Sequence, residues 1–207
     1  MTAKLRVGVT PDLLTSTGVP SFGEAPLALL NECAALEWEY LPVADAAITA
    51  DVAGAYDLLY VNSPKVTAAA VSRADCRVKM IARHGVGYDS VDVPALTRAG
   101  IVLTNTPIAI RRPVATMAMT FVLALAQKLF AKDQLTRTGG WNRRNDFMGR
   151  GLTGRTIGLV GFGGIGRLVA RLGRALGMGV LGSDPQVPAS SPAWREEGAQ
   201  RRELDAL

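Results

Sequence analysis

Residues 156–184 read TIGLVGFGGIGRLVARLGRALGMGVLGSD, and the order of the parts decides the fold. A short apolar run opening on Thr156 and Ile157 is followed by glycines spaced G-x-G-x-x-G, an amphipathic helical stretch, a second apolar run and an acid. A dinucleotide-binding βαβ unit requires that order. Gly161 allows the tight turn off the strand, Gly163 lets backbone N–H groups approach a pyrophosphate, and Gly166 lets helix and sheet pack closely. Phe162, Gly164 and Ile165 complete the turn, and the pyrophosphate is expected on the positive end of the helix that follows. Asp184 ends the second strand, eighteen residues after Gly166. A carboxylate there accepts hydrogen bonds from an adenine-ribose diol and repels a 2′-phosphate, which favours NAD over NADP. A plain glycine-rich turn between a core strand and a core helix explains the glycines but not the acid.

The rest of the composition narrows the classes. A chain of 207 residues, 48% apolar and 20% charged, can bury a sizeable core in one large or two small domains. Its opening, MTAKLRVGVT, lacks the layout of a signal peptide, and the longest nearly uncharged apolar run, Val114 to Ala126, is too short to span a bilayer. A cytoplasmic protein without a membrane partner is expected. Cys33 and Cys76 have neither metal nor redox spacing, so no metal site is expected, and isolated cysteines are more often small buried hydrophobes. The net charge of +5 and the arginines at 143, 144, 150, 155, 167, 171 and 174 raise the question of nucleic acid. Arg167, Arg171 and Arg174, however, fall at helical spacing opposite Leu168, Val169, Leu172 and Leu176. They read as the solvated face of a helix, and no nucleic-acid partner is expected.

Before the glycine motif, apolar runs recur at Leu5–Val9, Trp38–Val43, Leu58–Val61, Val78–Ala82 and Ile101–Thr104. Each reads as a buried parallel strand. Between them lie helix-compatible stretches, the clearest at Val91–Ala99, with Asp92 placed to cap, Pro94 in the first turn and Gly100 just past the end. Asp89 reads as a second capping residue. The alternation predicts a doubly wound α/β domain over residues 1–107. One long helix is predicted over Pro113–Thr138, closed by Gly139 and Gly140, with its first half apolar nearly all round. Such a helix needs cover on every side, between domains or between subunits.

Three segments together, IARHGVGYDSVD at 81–92, GIVLTNTP at 100–107 and GLVGFGGIG at 158–166, resemble the D-isomer-specific 2-hydroxyacid dehydrogenases over nearly the whole chain. The resemblance implies NAD(H)-dependent hydride transfer between 2-hydroxy and 2-keto acids. It also implies two domains with the active site in the cleft between them. Here these are a flavodoxin-like substrate domain at 1–107, then an interdomain helix and the first half of a Rossmann NAD-binding domain at 108–207. By this likeness Gly85, Val86 and Gly87 form the turn whose amides hold the substrate carboxylate. Glycines at a strand's carboxyl end suit that task physically. His84, the only histidine, reads as structural, because the family's catalytic histidine comes from a late segment. Thr116 stands where the family usually has glutamate. A homodimer through the 113–138 region is also implied.

The family's catalytic arginine, glutamate and histidine all fall beyond Leu207, so the resemblance carries no catalytic residue onto this chain. The expectation is therefore a C-terminally truncated member, with only the first two strands of its dinucleotide sheet, ending as a third begins. The strand at Thr156–Val160 should keep one bare edge. Such a chain is expected to be inactive alone. The alternatives are a non-catalytic NAD-binding or interaction module and a decayed fragment.

Overall fold

A computed structural model describes residues 3–42 and 46–207, and the chain divides into two compact units, residues 1–107 and 108–207. The first unit runs β1 (Leu5–Val9), α1 (Ala25–Glu32), β2 (Leu36–Tyr40), α2 (Ala50–Ala55), β3 (Leu58–Val61), α3 (Ala68–Val71), β4 (Met80–Arg83), α4 (Val93–Ala99) and β5 (Val102–Thr104). All five strands are parallel, in the order β2-β1-β3-β4-β5. That is the flavodoxin-like order. Strand alternation divides the side chains between the two faces. Leu59, Val61 and Ile81 are buried with Ala53, Ala70, Val71, Ala95 and Leu96 of α2, α3 and α4. Leu58, Met80 and Ala82 share an apolar hollow with Leu27 and Leu30 of α1.

The expected strands at Leu5–Val9 and Leu58–Val61 form with those bounds, whereas the others shift. β2 begins two residues early and ends at Tyr40, with residue 43 of the expected run outside the described residues. Its burial alternates because it is an edge strand with one wet face. β4 and β5 start late, since Val78, Lys79 and Ile101 are spent on entry bonds such as Lys79 N–H to Asp57 and Ile101 N–H to Leu96. Asp92 caps α4 by accepting the Ala95 N–H at 2.9 Å, and Gly100 ends it in the left-handed region at φ 67°. Such a cap is worth about 1 kcal/mol. Asp89 does not share the capping, because α4 begins only at Val93.

The second unit comprises α5 (Arg111–Ala126), α6 (Leu129–Arg137), β6 (Thr156–Val160), α7 (Gly164–Ala175), β7 (Gly179–Ser183), α8 (Pro192–Glu196) and β8 (Gln200–Arg201). The single helix expected over Pro113–Thr138 is instead two, bent by 60°. Lys128 adopts a left-handed conformation at φ 51°. The end of α5 is closed from outside, with Arg150 N–H donating to Ala126 and the Gln127 side chain donating to the Arg150 carbonyl. Among the described residues no single helix is long and apolar enough to cross a membrane.

β6, β7 and β8 form a parallel sheet in that order. A third strand is thus present, short but paired at Leu181–Gln200 and Gly182–Arg201, where two strands were expected. Among the described residues the other side of β6 bonds to no strand, and Val160 is 76% exposed. The core joins Ala115 and Met119 of α5 to Leu159, Phe162, Val169, Val180 and Trp194. Phe162 and Trp194 stack with centroids 4.1 Å apart. On α7 the expected division of faces is wrong in part. Leu172 and Leu176 are exposed, while Val169, Ala170 and Gly173 are buried. Arg171 is not simply solvated, since it forks onto the buried carboxylate of Glu197, tying α7 to the segment before β8.

Candidate functional site

The glycine turn after β6 has the geometry its spacing requires. Gly161 takes φ 95° and its N–H returns to the Ser183 carbonyl at 2.8 Å. A Cβ on Gly166 would strike the Gly161 carbonyl, whereas a Cβ on Gly163 would meet nothing within 4 Å. Gly166 therefore seats the helix against the turn, and Gly163 leaves the space in front of the helix open. The N–H groups of Gly164, Ile165 and Gly166 occupy the first turn of α7, where a helix has no internal acceptors. They face that open space with the positive end of the helix dipole behind them.

Asp184 lies just past β7 and reaches back to this turn. Its Oδ2 accepts the Phe162 N–H at 2.7 Å and its Oδ1 the Gln186 N–H at 2.8 Å. Those backbone bonds, Phe162 first, hold its carboxyl below the usual carboxylate range. Of the expected cofactor residues, Phe162 contributes only its backbone, because its ring is buried against Trp194. Ile165 packs partly into the core. Gly164 holds a contact that sequence reasoning missed. The Arg111 guanidinium lies against it, with Nε 2.7 Å from where a Cβ would stand. A cation is thereby placed beside the first turn of α7. The signal available in the sequence was only the Arg111-Arg112 pair ahead of Pro113.

In the first unit, the turn 85–87 stands at the carboxyl end of β4. Gly85 adopts φ 111°, donates to Thr106 Oγ1 at 3.0 Å and accepts the Thr106 N–H at 2.8 Å. Asn105 Nδ2 donates to the Val86 carbonyl at 2.9 Å. The turn is thus fixed from two sides by the segment after β5, while Val86 and Gly87 remain exposed. Beside Gly85, the Arg83 side chain fills the space a Cβ would need.

His84 follows β4 and packs against Phe22 and Tyr60, with Nδ1 2.5 Å from the Tyr60 hydroxyl. Burial, and then the charge of Arg83, push its pKa below the usual imidazole value, against the pull of Asp12. At the strand ends it is thus held between Phe22 and Tyr60, with its Nδ1 turned to the Tyr60 hydroxyl. Asp12, which sequence reasoning passed over, belongs to the same rim. Its Oδ2 takes the Ser63 N–H at 2.8 Å and the Asn62 side chain at 3.0 Å. Burial raises its pKa, but the bonds from Thr10, Ser63 and Asn62 together outweigh that and leave it lowered. Among the described residues no three His, Cys, Asp or Glu side chains converge as a metal site.

Comparison with known proteins places this geometry. Residues 119–207 match the family model described as D-isomer specific 2-hydroxyacid dehydrogenase, NAD binding domain. Glyoxylate reductase of Thermococcus kodakarensis is 42% identical over 138 residues, covering 63% of this chain and 40% of the relative. D-3-phosphoglycerate dehydrogenase of Methanocaldococcus jannaschii is 38% identical over 133 residues, covering 64% and 25%. Among solved structures, the TT0316 protein from Thermus thermophilus superposes with a TM-score of 0.76 at 27% identity, over 98% of this chain and 61% of that one. D-lactate dehydrogenase from Escherichia coli, at 22% identity and a TM-score of 0.74, covering 98% of this chain and 62% of that one, shares the fold. The chain spans two fifths or less of these two curated relatives.

Proposed function

Because the chain belongs to the D-isomer specific 2-hydroxyacid dehydrogenases, we propose that it takes part in NAD(H)-dependent hydride transfer between a 2-hydroxy acid and its 2-keto acid. The observation that carries this reading is the bond between Asp184 and Phe162. It holds a carboxylate against the same turn as the first-turn amides of α7, which supports a ribose contact at Asp184 and a pyrophosphate at the amides. The residues present fit the dinucleotide on three counts: open space at Gly163, first-turn amides on α7, where a helix lacks acceptors of its own, and an acid held beside them. The nicotinamide, when bound, supplies or accepts the hydride.

The chain's own residues bind and orient. Gly163 to Gly166 present N–H groups to the pyrophosphate, and Arg111, leaning on Gly164, adds a positive charge beside them. Asp184, already anchored by two amides, keeps lone pairs for the adenine-ribose hydroxyls and opposes a 2′-phosphate by charge. Gly85, Val86 and Gly87 hold the substrate carboxylate, with Thr106 and Asn105 fixing the turn. We assign self-association to the region of α5 and α6, where Val114, Met117, Phe121 and Leu125 are exposed on α5. Both cysteines are free thiols, which supports a reducing, cytoplasmic setting.

The test is fluorescence titration with NADH, followed by NADH oxidation with glyoxylate, hydroxypyruvate or pyruvate. Saturable binding that Asp184→Ala weakens is the expected result. Binding without turnover would favour a non-catalytic dinucleotide module, and no binding would overturn the reading.

A further inference from the structure

At the amino ends of β4 and β5, opposite the Gly85–Gly87 turn, the segments around α3 and α4 border an open-sided cavity of about 430 Å³. Its walls include the apolar side chains of Val71, Val78 and Ile101, and around them stand Arg73, Lys79 and Arg98, with no carboxylate among the lining residues. The Arg73 charge is offset by ion pairs to Asp51 and Asp75. Among the described residues neither Lys79 nor Arg98 enters an ion pair. Their placement is built into the sheet. The Lys79 carbonyl takes the Val102 N–H at 3.0 Å, which holds Lys79 beside the short link that follows Arg98 in the last turn of α4. Two cations that enter no ion pair among the described residues thus flank a hollow of mixed polar and apolar lining, of the size that takes small molecules, roughly 300–1,000 Å³.

We propose that this hollow is a second ligand site, for a small organic anion whose carboxylate or phosphate is held by Lys79 and Arg98 while its short carbon body lies over the small apolar floor at Val71, Val78 and Ile101. Arginine supplies a planar fork that matches either group, and lysine a compact charge beside it. The site lies wholly within the first unit and does not rest on the hydride-transfer reading.

Cys76, half-buried, lines the same cavity and reports on it. The experiment follows iodoacetamide labelling of Cys76 by peptide mass spectrometry, with exposed Cys33 as the internal control. Glycerol 3-phosphate, succinate, inorganic phosphate and uncharged glycerol are the probes. Glycerol 3-phosphate or succinate should slow Cys76 labelling about tenfold at a ligand excess of about ten over the dissociation constant, since only the free state reacts. Whichever of the two acts identifies phosphate or carboxylate as the preferred group. The protection should vanish in Lys79→Gln/Arg98→Gln and survive in Lys79→Arg, which keeps the charge. Protection by inorganic phosphate alone would mean an adventitious ion only. That result, equal protection by glycerol, protection that survives Lys79→Gln/Arg98→Gln, or none from any probe would overturn the proposal.

Discussion

The Asp184 carboxylate accepts the Phe162 N–H at 2.7 Å across 22 positions of sequence. One end of the dinucleotide turn is therefore tied directly to the end of the second strand. Asp184→Ala is expected to weaken NADH binding roughly tenfold or more, the scale of a lost charged hydrogen bond, and to narrow the preference over NADPH. Parallel fluorescence titrations with the two cofactors check both halves.

Gly163 and Gly166 separate binding from folding. Gly166→Ala drives a methyl into the Gly161 carbonyl and should cost about 1–3 kcal/mol of stability, the usual penalty of overpacking. Gly163→Ala meets no neighbour and should leave stability within about 0.5 kcal/mol, while obstructing the pyrophosphate. Urea melts and NADH titrations of both variants should therefore rank them in opposite orders.

Arg111→Gln removes the cation beside Gly164. Roughly tenfold weaker NADH binding is expected at low salt, with the difference shrinking as salt screens the charge. A dissociation constant identical to the parent's at low ionic strength would remove Arg111 from the phosphate site.

His84 makes stability depend on pH. Its folded pKa lies below the unfolded value of about 6.5 because burial and Arg83 disfavour the imidazolium. The stability it contributes is present above pH 6.5 and is lost as the pH falls from there through the lowered folded value. The melting temperature of the parent should fall over that range more than that of His84→Gln, measured side by side.

Phe121, 56% exposed on α5, tests self-association. Phe121→Asp places a charge where a second apolar surface would have to lie. Sedimentation should show the parent as a dimer and the variant shifted to monomer.

Much of this was legible in the sequence. β1, β3 and β6 begin and end where their apolar runs do, because local patterning sets the bounds of a strand with a buried face. Asp92, Pro94 and Gly100 announce α4 for the same reason, since capping is local chemistry. The misses are long-range. The break at Lys128 depends on Arg150 reaching Ala126 from 24 residues on. Arg171 looked solvated because its partner, Glu197, lies 26 residues away. Arg111 meets Gly164 only after α5 has packed on α7, a contact no periodicity encodes. In the candidate site, the glycine spacing and the acid could be read directly, whereas Asp12 could not. Its neighbours Asn62 and Ser63 are brought to it by the pairing of β1 with β3.

The side of β6 that bonds to no strand among the described residues has a further consequence. Its outward peptide groups form a ready template for any extended segment, and Val160 adds a greasy foothold at the rim. A short synthetic peptide of β-branched residues should dock there in register, so capture of such peptides by the chain would be a route to crystallisation chaperones.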